Sequence, residues 1–191
     1  MKNPSSKVTN NQRGPNDLRE WLDGVEADGG LHRVHGQVDV KEELAAATYM
    51  VAQNENSPAL IFENLAGDEI GIKILSNMLG ASNRRYAIAL GLNPELSTHE
   101  LILATRERSK TTIAPSQVSP DQAPVNEIIL TGEEIDLTKL PVPKFWPRDG
   151  GKYIGTGDIT FTKNPDSGRI NVGCYRQMLH GPRRVGMYCS P

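Results

Sequence analysis

Apolar residues recur at Leu18, Trp21, Leu22 and Val25, the i, i+3, i+4, i+7 spacing that gives a helix one apolar stripe. Asp17 and Glu20 precede them at capping-box spacing, and Gly29-Gly30 closes the element. Residues 31–40 alternate weakly and predict one or two strands. Residues 42–53, rich in alanine, predict a helix. Ala59-Leu60-Ile61-Phe62 is a compact apolar run that reads as a buried strand, and residues 70–75 predict a second. A helix alternating with two such strands is the pattern of an α/β layer. Two further helices follow over residues 83–90 and 96–108. The first opens with Arg84-Arg85, read as a solvated face. The second should turn Leu101, Ile102 and Ala104 inward, with Arg106, Arg108 and Lys110 complementing the dipole at its C-terminal end.

The pattern then changes. Residues 111–125 are rich in Pro, Ser and Gln without apolar period, so they read as a connection. Residues 127–130 predict a short strand and residues 131–140 an acidic turn. The prolines of LPVPKFWP force an extended path in which Phe145 and Trp146 serve packing. Beyond Asp149-Gly150-Gly151, strands are expected over residues 153–162, 169–179 and 183–189. Turns at 164–168 and 180–182 space them as in an antiparallel meander, sandwich or barrel. A last strand ending at Ser190-Pro191 would be a bare edge, so the sequence reads as truncated. The expected organisation is a disordered polar leader over residues 1–15, an α/β domain over 16–110, a linker over 111–126 and an incomplete β domain over 127–191.

Composition removes some function classes. The 191 residues carry a net charge of −2 and a pI near 6.1, which suggests no attraction to nucleic acid or anionic membrane. No apolar run approaches the ~18 residues of a membrane span, and the N-terminus lacks an apolar signal core, so a cytoplasmic location is expected. Cys174 and Cys189 are expected as free thiols, although their spacing also fits neighbouring strands of a hairpin. No C-x-x-C or H-x-x-x-H pattern marks a local zinc site. His32 and His35 would face opposite ways on a strand, and solvated surface is the better reading of both.

Chemistry concentrates in residues 168–188, GRINVGCYRQMLHGPRRVGMY, where an amide (Asn171), a thiol (Cys174), a phenol (Tyr175) and a guanidinium (Arg176) lie close together. Alternation would put Asn171, Gly173 and Tyr175 on one face and Val172, Cys174 and Arg176 on the other. Neither face is apolar. Such a strand either binds something polar or forms an exposed edge.

Four segments together resemble the UbiD family of prenylated-FMN-dependent decarboxylases: DLREWLDGVEADGGLHRV at 17–34, ALIFENLAG at 59–67, KLPVPKFWPRDGGKYI at 139–154 and INVGCYRQMLHG at 170–181. FENLAG alone is weak; the Asn171-x-x-x-x-Arg176 strand after Trp-Pro-x-Asp-Gly-Gly-Lys-Tyr is more specific. The resemblance implies an N-terminal α/β domain followed by the start of an antiparallel split β-barrel of the flavin-binding type, α+β overall. It implies loss of CO2 from an aromatic or α,β-unsaturated carboxylic acid, with the flavin as electron sink. By the same resemblance Asn171 is a ligand to a divalent metal, usually Mn2+, that binds the cofactor phosphate, a suitable task for a hard oxygen donor. Arg176 matches the arginine that meets the substrate carboxylate, where a planar fork can bind bidentately. Cys174, Tyr175, Arg176, Tyr188, Cys189 and Ser190 line the cofactor, with Cys174 a packing contact and not a nucleophile. Further metal ligands, a potassium loop and the acidic partners of the arginine match nothing in these residues. Implied partners are a UbiX-like flavin prenyltransferase as cofactor supplier and further copies of the chain as a homo-oligomer. The resemblance also leaves open a non-catalytic flavin-binding or assembly subunit completed by a partner chain, and this chain alone is expected not to turn over.

Overall fold

Asp17 opens the first helix by accepting a hydrogen bond from the Glu20 N–H at 2.9 Å. In the computed structural model, which describes residues 13–188, this helix is α1 (Leu18–Ala27). Only half of the expected capping box forms, because the Glu20 carboxylate reaches past the cap to the Asn16 backbone and side-chain amides, both at 2.7 Å. Those donors hold the Glu20 carboxyl below its usual range. Grouped by contacts, the chain forms two units. One is Met1–Val34, Met50–Ile61 and Leu75–Asn126; the other is His35–Tyr49, Phe62–Ile74 and Glu127–Pro191. The expected leader lies outside the described residues except for Arg13, Gly14 and Pro15.

In the first unit, β1 (Leu31–Val34) begins two residues after Gly29 turns the chain at φ 75°. Further along the chain come α2 (Glu43–Ala52), most of which belongs to the second unit, then β2 (Ala59–Phe62) and β3 (Ile74–Ser76), and the three strands pair in the order β1-β2-β3. All four residues of β2 are buried, as a continuous apolar run requires. The strand expected over residues 70–75 is shorter and later, since Gly71 sits at φ 73°. Helices α3 (Asn83–Ala89) and α4 (Thr98–Arg108) complete this unit, α4 with the full capping box Ser97–Glu100. Trp21, Val25 and Ala59 form one core with Leu22, Leu31, Leu75 and Ile88, while Ala87, Leu96, Leu101 and Ala104 form another. Ile102 is exposed, contrary to expectation, because α4 buries the stripe through Leu101 and Ala104.

Arg85 corrects the solvated reading of the basic pair. It is 2% exposed, and its guanidinium donates to the backbone carbonyls of Met78 at 2.9 Å, Asn77 at 3.2 Å and Ser57. Its own carbonyl accepts from the Trp21 indole at 3.3 Å. Arg84 follows the expectation, lying exposed and pairing with Asp28 and Glu95.

In the second unit, residues 141–147 run beside residues 38–42. Lys144 donates its N–H to the Val40 carbonyl at 3.1 Å and accepts the Glu42 N–H at 2.9 Å. Val142 is buried, as are Val38, Val40, Leu44, Ala45, Phe62 and Leu65 of the same unit. Trp146 packs edge-to-face on Tyr49, with centroids 5.6 Å apart. Residues 127–130 are not a strand: Ile128, Ile129 and Leu130 are exposed and have no ladder partner. Strand propensity alone does not make a strand without a neighbour to pair with.

Five strands follow: β4 (Tyr153–Gly155), β5 (Thr160–Lys163), β6 (Ile170–Gly173), β7 (Gln177–Leu179) and β8 (Val185–Met187). They form an antiparallel sheet β4-β7-β8 and a separate antiparallel ribbon β5-β6, and no closed barrel is present among the described residues. The single strands expected over residues 153–162 and 169–179 are therefore each two strands in two sheets. The chain changes sheets at residues 174–176.

Candidate functional site at the sheet switch

The ribbon places Asn171 opposite Thr162 and Gly173 opposite Thr160 on one face, with Phe161, Val172 and Ile170 on the other. Its turn is tightened by Asn164, whose side-chain oxygen accepts the N–H groups of Asp166 at 2.9 Å and Ser167 at 2.8 Å. After Gly173 the backbone leaves the ladder, and Tyr175 folds back over the strand end. Its ring lies so near Gly173 that a Cβ there would sit 2.7 Å from Cε2, a distance no side chain tolerates. The Asn171 amide donates to the Tyr175 hydroxyl at 3.4 Å. Asn171, Gly173 and Tyr175 thus share one face, as alternation implies, although by a fold of the chain instead of a continued strand.

That hydrogen bond uses an Asn171 N–H and leaves its side-chain oxygen available. Arg176 is exposed, and no carboxylate pairs with it among the described residues. Cys174 is an exposed free thiol. Tyr188 follows β8 and is 77% exposed. Cys189 and Ser190 lie outside the described residues. The structure therefore joins Asn171 to Tyr175, and puts Cys174 and Arg176 on the same short switch without a direct bond to them.

Sequence reading passed over the network that holds the far end of this switch. Gln177 donates its side-chain amide to Asp158 Oδ2 and to Thr160 Oγ1, both at 3.0 Å, and Thr160 donates to the same Oδ2 at 3.2 Å. Asp158 Oδ1 is buried without a donor. It presses on Gly155, where a Cβ would collide with the carboxylate. The spacing Gly155-x-x-Asp158 is the signal that was there to be read. Nearby, Arg183 pairs with Glu133, and the Thr138 side-chain and backbone donors hold the Asp136 carboxyl below its usual range.

An amide oxygen on β6 and an unpaired guanidinium on the switch that follows are group types that suit an anionic ligand, the oxygen through a hard cation and the guanidinium directly. Among the described residues there is no group of three or more His, Cys, Asp or Glu able to hold a metal ion. Two family models match the chain. The 3-octaprenyl-4-hydroxybenzoate carboxy-lyase N-terminal domain matches residues 22–105, and the Rift-related domain of the same carboxy-lyase matches residues 116–191. The chain belongs to the UbiD family. Among solved structures, vanillic acid decarboxylase of Sedimentibacter hydroxybenzoicus in its open form is 31% identical with a TM-score of 0.82, over 92% of this chain and 38% of that one. The UbiD-class enzyme HmfF of Pelotomaculum thermopropionicum in complex with FMN is 33% identical with a TM-score of 0.76, over 91% and 37%. Apo 3,4-dihydroxybenzoic acid decarboxylase of Klebsiella pneumoniae is 25% identical with a TM-score of 0.79, over 91% and 37%. This UbiD-family chain therefore spans less than two-fifths of the length of each of these structures. No helix among its described residues is long and apolar enough to cross a membrane.

Proposed function

We propose that this chain supplies the N-terminal domain and the first cofactor-facing strands of a cytoplasmic decarboxylase that removes CO2 from an aromatic or α,β-unsaturated carboxylic acid with prenylated FMN. The observation that carries this is the end of β6 and the switch after it, where Asn171 keeps a free amide oxygen and Arg176 an uncompensated charge. The family's solved members support the cofactor, since HmfF structures hold FMN and prFMN. The domain limits 16–110, 111–126 and 127–191 belong to the same reading, with the later strands as the opening of a split barrel. A UbiX-like prenyltransferase would supply the cofactor, and the intact protein would be a homo-oligomer.

In this reading Asn171 Oδ1 would be one ligand to a divalent cation, Mn2+ for preference, that neutralises the anionic cofactor, with K+ as a second ion. Cys174, Tyr175, Tyr188, Cys189 and Ser190 would line the cofactor, whose flavin would supply the electron sink. Arg176 binds the substrate carboxylate through its two parallel N–H donors and fixes it for C–C cleavage. Tyr175 keeps the Asn171 amide turned so that its oxygen, not its nitrogen, faces the cation. Cys174 has no neighbouring base among the described residues and takes no nucleophilic part.

The test uses the native gene product loaded with prenylated FMN and Mn2+. Asn171→Ala should lose metal-dependent cofactor retention, read by flavin absorbance after desalting. Arg176→Ala should keep the flavin and lose CO2 release by about a hundredfold or more. Equal loss of both properties in both variants would count against the two roles.

A further inference from the structure

Residues 174–176 have no ladder partner among the described residues, so their two ends decide where Arg176 points. The Tyr175 ring on Gly173 fixes the first end. Gln177, the neighbour of Arg176, fixes the second. Its Cα pairs with Gly155 on β4 and with Met187 on β8. Its side chain crosses to Asp158 and Thr160 at the start of the ribbon. The residue next to the guanidinium is thus tied to both sheets at once.

From this juxtaposition we propose that Asp158 is a positioning residue, which sets the bearing of Arg176 by holding Gln177. The inference rests on the reading that Arg176 meets the substrate carboxylate. Asp158 accepts two bonds on Oδ2, from Gln177 and Thr160, and its other oxygen is buried with no donor among the described residues. The two bonds to Oδ2 are what tie Asp158 to the residue beside Arg176. Gly155 has no side chain, which is what lets the carboxylate come so close. The oxygen that matters is Oδ2, which an asparagine can supply and an alanine cannot.

The experiment compares Asp158→Ala, Asp158→Asn and Gln177→Leu with wild type in the cofactor-loaded native gene product. Asp158→Ala and Gln177→Leu should each lower kcat by at least about tenfold while flavin absorbance and stoichiometry stay unchanged. Asp158→Asn should recover to within about threefold of wild type, and the Asp158→Ala, Gln177→Leu double variant should be no worse than the weaker single, as for residues acting as one unit. Hydrogen exchange supplies a readout independent of turnover: peptides covering residues 174–179 should exchange about tenfold faster in Asp158→Ala, with α1 and α4 unaffected. Turnover of folded Asp158→Ala within about twofold of wild type overturns the proposal, and so does failure of the asparagine to rescue. Gln177→Leu decides the matter if Asp158→Ala does not fold. Undiminished turnover in Arg176→Ala would instead sink the parent reading, and the exchange data would then judge Asp158 alone.

Discussion

Trp21 and Phe161 are both large aromatic residues in regular elements, yet Trp21 is 2% exposed and Phe161 is 72% exposed. The region around Trp21 is finished as a fold: two apolar clusters, capped helices and a buried guanidinium that satisfies loop carbonyls. The β5-β6 ribbon is held by its ladder, its Asn164 turn and the Asp158 network, while Ile159, Phe161, Ile170 and Val172 face outward. Apolar burial and open polar surface are thus lodged in different places. The first region is stabilised by removing surface from water, and the second by hydrogen bonds that leave its polar face open.

Mutations at the two places should separate by size. Trp21→Ala should destabilise the chain most, by about 3–5 kcal/mol in denaturant titration, from lost burial plus the cavity. Arg85→Met should cost about 2–4 kcal/mol, because the carbonyls of Ser57, Asn77 and Met78 lose their donor. A smaller effect comes from pH. Hydrogen bonds from Arg84 hold the Asp28 carboxyl below its ordinary range. A depressed carboxylate contributes its full stability above the unfolded value, about 4, and loses it as pH falls through the folded one. The stability gap between wild type and Asp28→Asn should therefore be full at neutral pH and close below that value. Phe161→Ser should change stability least, within about 0.5 kcal/mol. A loss several times larger would mean that the ribbon has a core of its own, and the contrast would break.

The same contrast explains what could be read from sequence. α1 was legible from Leu18, Trp21, Leu22 and Val25, and β2 from four apolar residues in a row, because burial leaves a period in the chain. Arg85 was not legible, since the carbonyls it serves belong to Ser57, Asn77 and Met78, whose loops nothing local to Arg84-Arg85 announces. The break between β6 and β7 was hidden for a related reason. Alternation records which way a side chain points, not which strand its backbone pairs with. Ile128, Ile129 and Leu130 misled in the opposite direction, with strand-forming side chains and no partner. Resemblance singled out Asn171 and Arg176 as candidates, whereas Asp158 needed coordinates, because its contact is with Gln177 on another strand.

The sequence has two tryptophans, and they sit in opposite surroundings. Trp21 is sealed in an apolar core, while Trp146 lies edge-on to Tyr49 with 53% of its surface open to solvent. Light emitted by the first should therefore be blue-shifted and shielded from acrylamide, and light from the second red-shifted and readily quenched. Each indole belongs to a different unit, so a single unlabelled sample reports the melting of both, at two wavelengths.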